Sequence, residues 1–276
     1  MRIPLAAMWR AVRNPRKRQV TLRPIKPPAT FATGLYQSAY AGLIAAWERG
    51  LDAVMTEYER TLAQITQDSP ADVGAAVGNV ERDALAVLVA VEARLARWAE
   101  RIERWHRQRW RAVVLSGTGV DIGTMIGPAD ARVTLEAVIT RNVGLVRSVS
   151  EQTRQRIASA VFEGLAQRKP PRAVASELRE AVAMSRRRAL LIASDQASKL
   201  GGQLNEERRR QAGITQWKWV HSGKKHPREE HRARDGKIYG DDELLGDRPG
   251  YAINCGCTSA AHLDIDAMLA EMDLAA

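Results

Sequence analysis

Cysteine, histidine and phenylalanine are scarce in this chain. Its 276 residues hold two cysteines, five histidines and two phenylalanines, and aromatics make up only 5% of the whole. The two cysteines are separated by one residue, so no disulfide framework is available, and their sparing use suits a reducing compartment. No stretch reaches the roughly 18 consecutive apolar residues that a membrane-crossing helix needs. The apolar run at the start is too short for a signal peptide, and no small-residue cleavage site follows it. Gly117-Thr-Gly119-Val-Asp121-Ile-Gly123 is a loop, not a dinucleotide fingerprint, because no strand precedes it and the spacing is wrong. No phosphate-cradling loop is found, and no paired carboxylates lie on a helix beside the histidines and cysteines.

What the chain does have is helix-forming material and positive charge. Hydrophobic residues are 45% of the total, enough for a packed core, and Ala, Leu, Val and Arg dominate. The net charge is +10 and is unevenly spread. Residues 1–29 carry eight Lys or Arg and no acid, whereas residues 241–276 carry one basic and eight acidic groups. Two readings of these ends stand side by side: a solvated arm and tail, or an arm that contacts phosphate or an acidic protein surface.

Periodicity divides the chain into four parts. Residues 1–29 read as a basic, proline-broken arm with a short helix near Ala6–Val12. Residues 30–213 read as a helical domain. Its helices are expected over about 31–67, from 71 or 79 to 115, from Asp130 to a break in 142–149, over 150–167 with Ser150 as N-cap, over 172–183, and over 185–213 with Gly213 ending the last. Residues 214–263 read as a small α+β module, with strands at Thr215–Val220, at Lys237-Ile-Tyr and at Ala252–Thr258. Residues 264–276 read as an acidic tail. The expected fold class is therefore mostly α, long helices followed by a small C-terminal α+β module with a short sheet. Trp217 and Trp219, two apart on a strand, belong to that module's core. Trp98 and Trp105 are helix-packing residues.

Charged and coordinating side chains cluster in two places. Seven arginines lie between Arg94 and Arg111, and this helix face is either solvated or turned to nucleic acid, with Glu100 and Glu103 as local partners. The candidate phosphate contacts are Arg13, Arg16, Lys17 and Arg18 in the arm, then Arg101, Arg104 and Arg107. The small module holds His221, His226, His231, Cys255 and Cys257. Two thiolates around Gly256 with His231 and one of His221, His226 or His262 would make a Cys₂His₂ set suited to structural zinc. The metal candidates are His231, Cys255, Cys257 and His221. The alternatives are a hydrogen-bonded cluster with the cysteines packed as small hydrophobes, and a Cys-His-Asp or metal-assisted hydrolase or nuclease using His231, either cysteine and Asp235.

Several separated stretches stand in a familiar order: Gly119-Val-Asp121, Asn142-Val-Gly-Leu-Val-Arg147, Arg188 to Asp195-Gln, Trp217, His221-Ser-Gly223, Arg228-x-x-His231, Asp235-Gly236-Lys237 and Asn254-Cys255-x-Cys257. In these the chain resembles the phage head morphogenesis family, the minor head proteins similar to phage Mu protein F and the SPP1 minor capsid protein. Lys224, Lys225 and His226 stand where the family often has an acid, and Gly256 where it often has arginine. The resemblance implies a non-enzymatic role in head assembly and DNA delivery. It implies a place inside the virion near the portal, with assembly in the host cytoplasm. Its implied partners are the portal protein and the capsid interior; the basic side chains add double-stranded DNA bound without sequence preference as an expected partner, and no membrane is expected.

Overall fold

The computed structural model describes residues 3–12, 18–64 and 71–274. The fold is mostly helix with one small antiparallel sheet, as the periodicity requires. The helices are α1 (Leu5–Val12), α2 (Ala29–Leu35), α3 (Ala41–Ala63), α4 (Ala71–Ala86), α5 (Val91–Thr118), α6 (Arg132–Ala166), α7 (Pro171–Gln211), α8 (Glu229–Ala233) and α9 (Ile265–Leu274). A π-helical turn over Tyr36–Tyr40 joins α2 to α3, and a 3₁₀ turn over Val87–Ala90 joins α4 to α5. The strands are β1 (Gln19–Thr21), β2 (Gln216–Val220), β3 (Ile238–Gly240) and β4 (Thr258–Asp264), in sheet order β1-β4-β2-β3 with every pair antiparallel.

Two breaks expected within the helical region do not occur. Helix α6 runs through residues 142–150, and α7 runs through residues 183–185. The two serines at the expected breaks are used sideways instead. Ser150 is buried and accepts a hydrogen bond from Trp47 Nε1 at 3.4 Å. Ser185 is buried, bonds back to the Ala181 carbonyl at 2.9 Å and accepts from Thr153 Oγ1 at 2.8 Å. A serine that bonds to the preceding turn stays inside a helix and need not end it. Gly213 does end α7, at φ 66°, where a left-handed residue is needed.

The chain forms two compact units. One comprises residues 32–98 and 139–193. Its core includes Leu43, Trp47, Val54 and Tyr58 of α3, Val77 and Val80 of α4, and Val149, Ile157, Leu178 and Val182. The other comprises residues 1–31, 99–138 and 194–276, and it carries the sheet. Its core joins Leu5, Trp9, Leu22 and Ile25 to Trp110, Val114, Ile122, Ile214, Leu263 and Met268.

Described residues of the segments expected as arm and tail take part in this core. Helix α1 buries Leu5, Ala6 and Trp9, and β1 lies along β4 with Val20 opposite Leu263. The proline-rich composition concealed this edge strand, because its partner lies far away in sequence. Helix α9 forms from the acidic tail and buries Met268 in the same core, so that segment is not simply solvated.

Candidate metal or catalytic centre

The centre is built on β2. Alternation puts Trp217 and Trp219 on one face, both fully buried, with Lys218 on the other. Trp219 pairs with Ser259, and Trp217 lies between Ala261 and Tyr239. Two excursions from this sheet bring in the chemistry. The connection from β2 to β3 carries α8 with His231, and the connection from β3 to β4 carries Asp247 and the Asn254-Cys255-Gly256-Cys257 turn. The third strand expected over 252–258 begins only at Thr258, since residues 252–257 form that turn instead.

The turn is held by four groups, three of them side chains from elsewhere. Asn254 has φ 58°, a left-handed conformation that asparagine tolerates. Its N–H donates to Asp195 Oδ1 of α7 at 2.6 Å. Arg228 donates to the Ile253 carbonyl at 3.0 Å, and Lys224 Nζ to the Asn254 carbonyl at 2.6 Å. Cys255 N–H closes the turn on the Ala252 carbonyl at 3.0 Å. Asp235 and Gly236 serve the other excursion. Asp235 Oδ1 accepts the His221 N–H at 2.8 Å, and Gly236 turns the chain at φ 78° so that its N–H reaches the Trp219 carbonyl at 2.9 Å.

His231, Cys255 and Cys257 meet with their donor atoms all within 4.8 Å of one another. The Nδ1 of His231 lies 3.5 Å from Cys255 Sγ and 3.8 Å from Cys257 Sγ. All three residues are buried, at 3%, 3% and 7% exposure. On its other side the imidazole Nε2 lies 3.3 Å from Asp247 Oδ1, while Asp247 Oδ2 accepts from Arg234 at 2.5 Å. Trp219 meets the His231 ring edge-on at 5.0 Å, and Arg234 stacks over Trp219 at 5.1 Å. The cysteines pack with both tryptophans in a small core bordered by Tyr239, Leu244 and Ala252.

Electrostatics divides the two sulfurs. The hydrogen bond from Cys257 pulls the Cys255 thiol down to about 5 against the opposing effect of burial, with backbone N–H groups and His231 assisting. Cys257 is pushed up, by its hydrogen bond to Cys255 first and by burial second. Burial would raise the Asp247 carboxyl, but the Arg234 hydrogen bond and the nearby His231 outweigh it and hold the group below the usual carboxylate range. Chemically, the arrangement can bind a metal through three donors, or hold one thiolate against an oriented imidazole.

All three donors line a cleft of about 470 Å³, whose other walls include His221, Ser222, Lys224, His226 and Arg228. His221 is not among the converging donors; its Nδ1 accepts the Gly223 N–H at 3.1 Å. His226 is exposed. His262 is in β4, where its Nδ1 lies 2.8 Å from Thr21 Oγ1. The carboxylate that orients His231 is Asp247, not the expected Asp235, whose side chain is engaged by the His221 backbone. Asp247 stands in an irregular loop with no spacing pattern to flag it.

The candidate phosphate contacts are dispersed. Arg13, Arg16 and Lys17 lie outside the described residues. Arg18 is exposed and pairs with Asp266 at 2.9 Å. Arg107 is half-buried and pairs with Glu103 at 3.1 Å. Arg101 and Arg104 are exposed, three residues apart on α5, and neither forms an ion pair among the described residues.

Residues 155–260 match the family model described as Phage Mu protein F like protein. The matched stretch contains Asp195, Trp217, His231 and both cysteines; the Gly119 and Asn142 stretches lie before it. A Haemophilus influenzae protein described as uncharacterized is 27% identical over 150 residues, which is 53% of this chain and 34% of that protein. The chain thus spans about a third of the length of the curated relative it matches. No solved structure matches the chain.

Proposed function

Over residues 155–260 the chain belongs to the phage Mu protein F like family, and from that premise we propose that it is a minor head protein of a tailed phage or prophage. The observation that carries this reading is the family match itself, because it spans the buried centre and the groups that hold its turns. Asp195, Arg228, Asp235, Gly236 and Asn254 all fix backbone there. Residues spent on backbone geometry fit a structural role better than a catalytic one.

In this reading the protein docks on the portal or the capsid interior, resides in the virion inside the head, and is assembled in the host cytoplasm. It contacts packaged double-stranded DNA through basic side chains, without sequence preference, since phosphate contacts carry none. The net charge of +10 supports DNA contact, as do Arg101 and Arg104, which are exposed and form no ion pair among the described residues. No described helix is long and apolar enough to cross a membrane.

The test is made on particles. A lysogen encoding the chain is induced, DNA-filled heads are banded, and their proteins are identified by mass spectrometry before and after chemical crosslinking. The chain is expected in filled heads, crosslinked to portal or shell protein. Its absence from purified particles would overturn the reading.

One observation favours a second reading, a hydrolase or nuclease. Cys255 Sγ, the His231 imidazole and Asp247 stand in series, and Cys255 and His231 line the cleft. This is the order of nucleophile, base and orienting carboxylate. A His231→Ala variant separates the two. Loss of folding or assembly favours the structural role. A well-folded variant that has lost a hydrolytic activity present in the parent favours the enzyme.

A further inference from the structure

We infer that His231, Cys255 and Cys257 hold a zinc ion, with the fourth coordination position facing the cleft. Zinc bonded at about 2.3 Å to sulfur and about 2.05 Å to nitrogen sets tetrahedral N and S ligands about 3.6 Å apart. The observed separations, 3.5 Å and 3.8 Å, bracket that edge. Hydrogen bonding alone accounts for the cluster less well. A hydrogen-bonded chain from Cys257 to Cys255 and on to Nδ1 would need only one sulfur beside the ring, yet both lie within 3.8 Å of Nδ1.

A second observation is the far side of the imidazole. Nε2 faces Asp247, and Asp247 is itself fixed by Arg234. An Nε2–H donated to a carboxylate leaves Nδ1 as the free lone pair, turned toward the sulfurs. This outer partner is the one that metal-bound histidines regularly have, because it fixes ring orientation and strengthens the ligand.

The donor set chooses the metal. Two thiolates and a neutral imidazole balance a divalent charge, so the ion can sit among Trp217, Trp219 and the buried cysteines without leaving net charge there. Sulfur-rich ligation selects zinc over magnesium, calcium or manganese. The surrounding core is small, four buried side chains with three neighbours packed against it. A crosslink between the two sheet excursions supplies stability that so few apolar contacts cannot.

The fourth vertex is left to solvent. Among the described residues no other His, Cys, Asp or Glu atom joins the three; His221, the expected fourth ligand, stands in the cleft wall outside that cluster, with Nδ1 accepting the Gly223 N–H. Since all three donors line the cleft, the open position faces it, and water fills it.

The zinc inference does not depend on the head-protein reading, because its test uses purified protein alone. Metal content is measured on full-length protein prepared without chelator. The protein is then stripped and reloaded with cobalt, and thiol reactivity is followed with and without chelator. One zinc per chain is expected. Cobalt should give intense thiolate-to-metal charge transfer and the visible bands of a tetrahedral site, and both cysteines should react only after chelation. Azide should shift the visible bands through the open position. Cys255→Ser and Cys257→Ser should each lose the charge-transfer intensity of one sulfur, while His221→Ala should bind as the parent does. The parent alone keeps the idea falsifiable should the serine variants fail to fold. No bound zinc, no cobalt charge transfer and freely reactive thiols would overturn the site. Bound cobalt whose bands azide leaves unmoved would overturn the open position.

Discussion

Asp195 Oδ1 accepts the backbone N–H of Asn254 at 2.6 Å, joining the middle of α7 to the residue before Cys255. Asn254 is held at φ 58°, and Asp195, itself buried, also pairs with Lys199 at 2.8 Å. Removing the carboxylate frees the turn that aims both cysteines. Asp195→Ala is expected to destabilise the protein by about 1.5–3 kcal/mol, the usual worth of a hydrogen bond to a charged group. Denaturant unfolding measures this. Asp195→Asn, which keeps an acceptor oxygen, should lose less. An alanine variant as stable as the parent would show that the turn holds itself.

Glu103 and Arg208 form an ion pair at 2.5 Å with both side chains almost wholly buried. Arg107 also pairs with Glu103, and Gln211 accepts from Arg208. Glu103→Ala leaves a buried guanidinium without its main counter-charge, a change that costs about 3 kcal/mol or more when one partner of a buried pair is removed. The double variant Glu103→Leu/Arg208→Met should recover most of the loss, because no uncompensated charge remains. Unfolding midpoints of Glu103→Leu, Arg208→Met and the double variant decide the matter; a double loss equal to the sum of the single losses would mean that the pair is not coupled.

His106 is fully buried in α5, with Nε2 2.8 Å from Asn205 Oδ1 and no partner at Nδ1. Burial lowers it to about 4, although the Asn205 contact opposes the shift. Below the ordinary histidine value of about 6.5, the unfolded chain takes up a proton that the folded chain refuses. Stability from this group is therefore complete above pH ~6.5 and falls as pH drops toward ~4, by a total on the order of 3 kcal/mol. His106→Gln should flatten that part of the pH dependence. Urea midpoints at neutral and mildly acidic pH, parent against variant, are the check; parallel curves would refute the assignment.

The helical class, β2, β3 and the role of Gly213 were legible because each rests on local pattern. Trp217 and Trp219 alternate with polar residues, and Gly213 follows a long helical period. What escaped rests on distant partners. Strand β1 is three residues long within a proline-rich stretch, and it exists because Leu263, far along the chain, lies opposite Val20. Ser150 and Ser185 looked like helix ends because their inter-helix hydrogen bonds have no sequence signature. In the centre, His231, Cys255 and Cys257 were legible from residue type. Asp247 was not, and His221 lines the same cleft but stands outside the converging donors, a distinction that proximity in sequence does not make.

Glycines on α3 and α4 give opposite expectations. A Cβ built on Gly50 would lie 2.2 Å from Val80, so these helices touch closely at that point. Gly50→Ala should destabilise by about 1–3 kcal/mol through overpacking. Gly78, inside α4, has nothing within 4 Å of the same position. Gly78→Ala should stabilise by about 0.5–1 kcal/mol, since alanine loses less backbone freedom in a helix. Thermal unfolding of the two variants must shift in opposite directions; a stabilising Gly50→Ala would show that the contact is looser than the geometry requires.

The DNA contact is tested by salt. Each phosphate neutralised by a bound cation releases counterions and adds about 0.9 to the slope of log affinity against log salt on duplex DNA. Arg101 and Arg104 are unpaired among the described residues, whereas Arg18 and Arg107 already face Asp266 and Glu103. The free pair should therefore contribute most. Arg101→Ala/Arg104→Ala is expected to weaken binding to any duplex sequence equally and to reduce the slope by about 2. Arg107→Ala should change it less, because that arginine must first leave Glu103. An unchanged slope in the double variant would remove this face of α5 from the DNA contact and leave the head-protein reading to rest on protein docking alone.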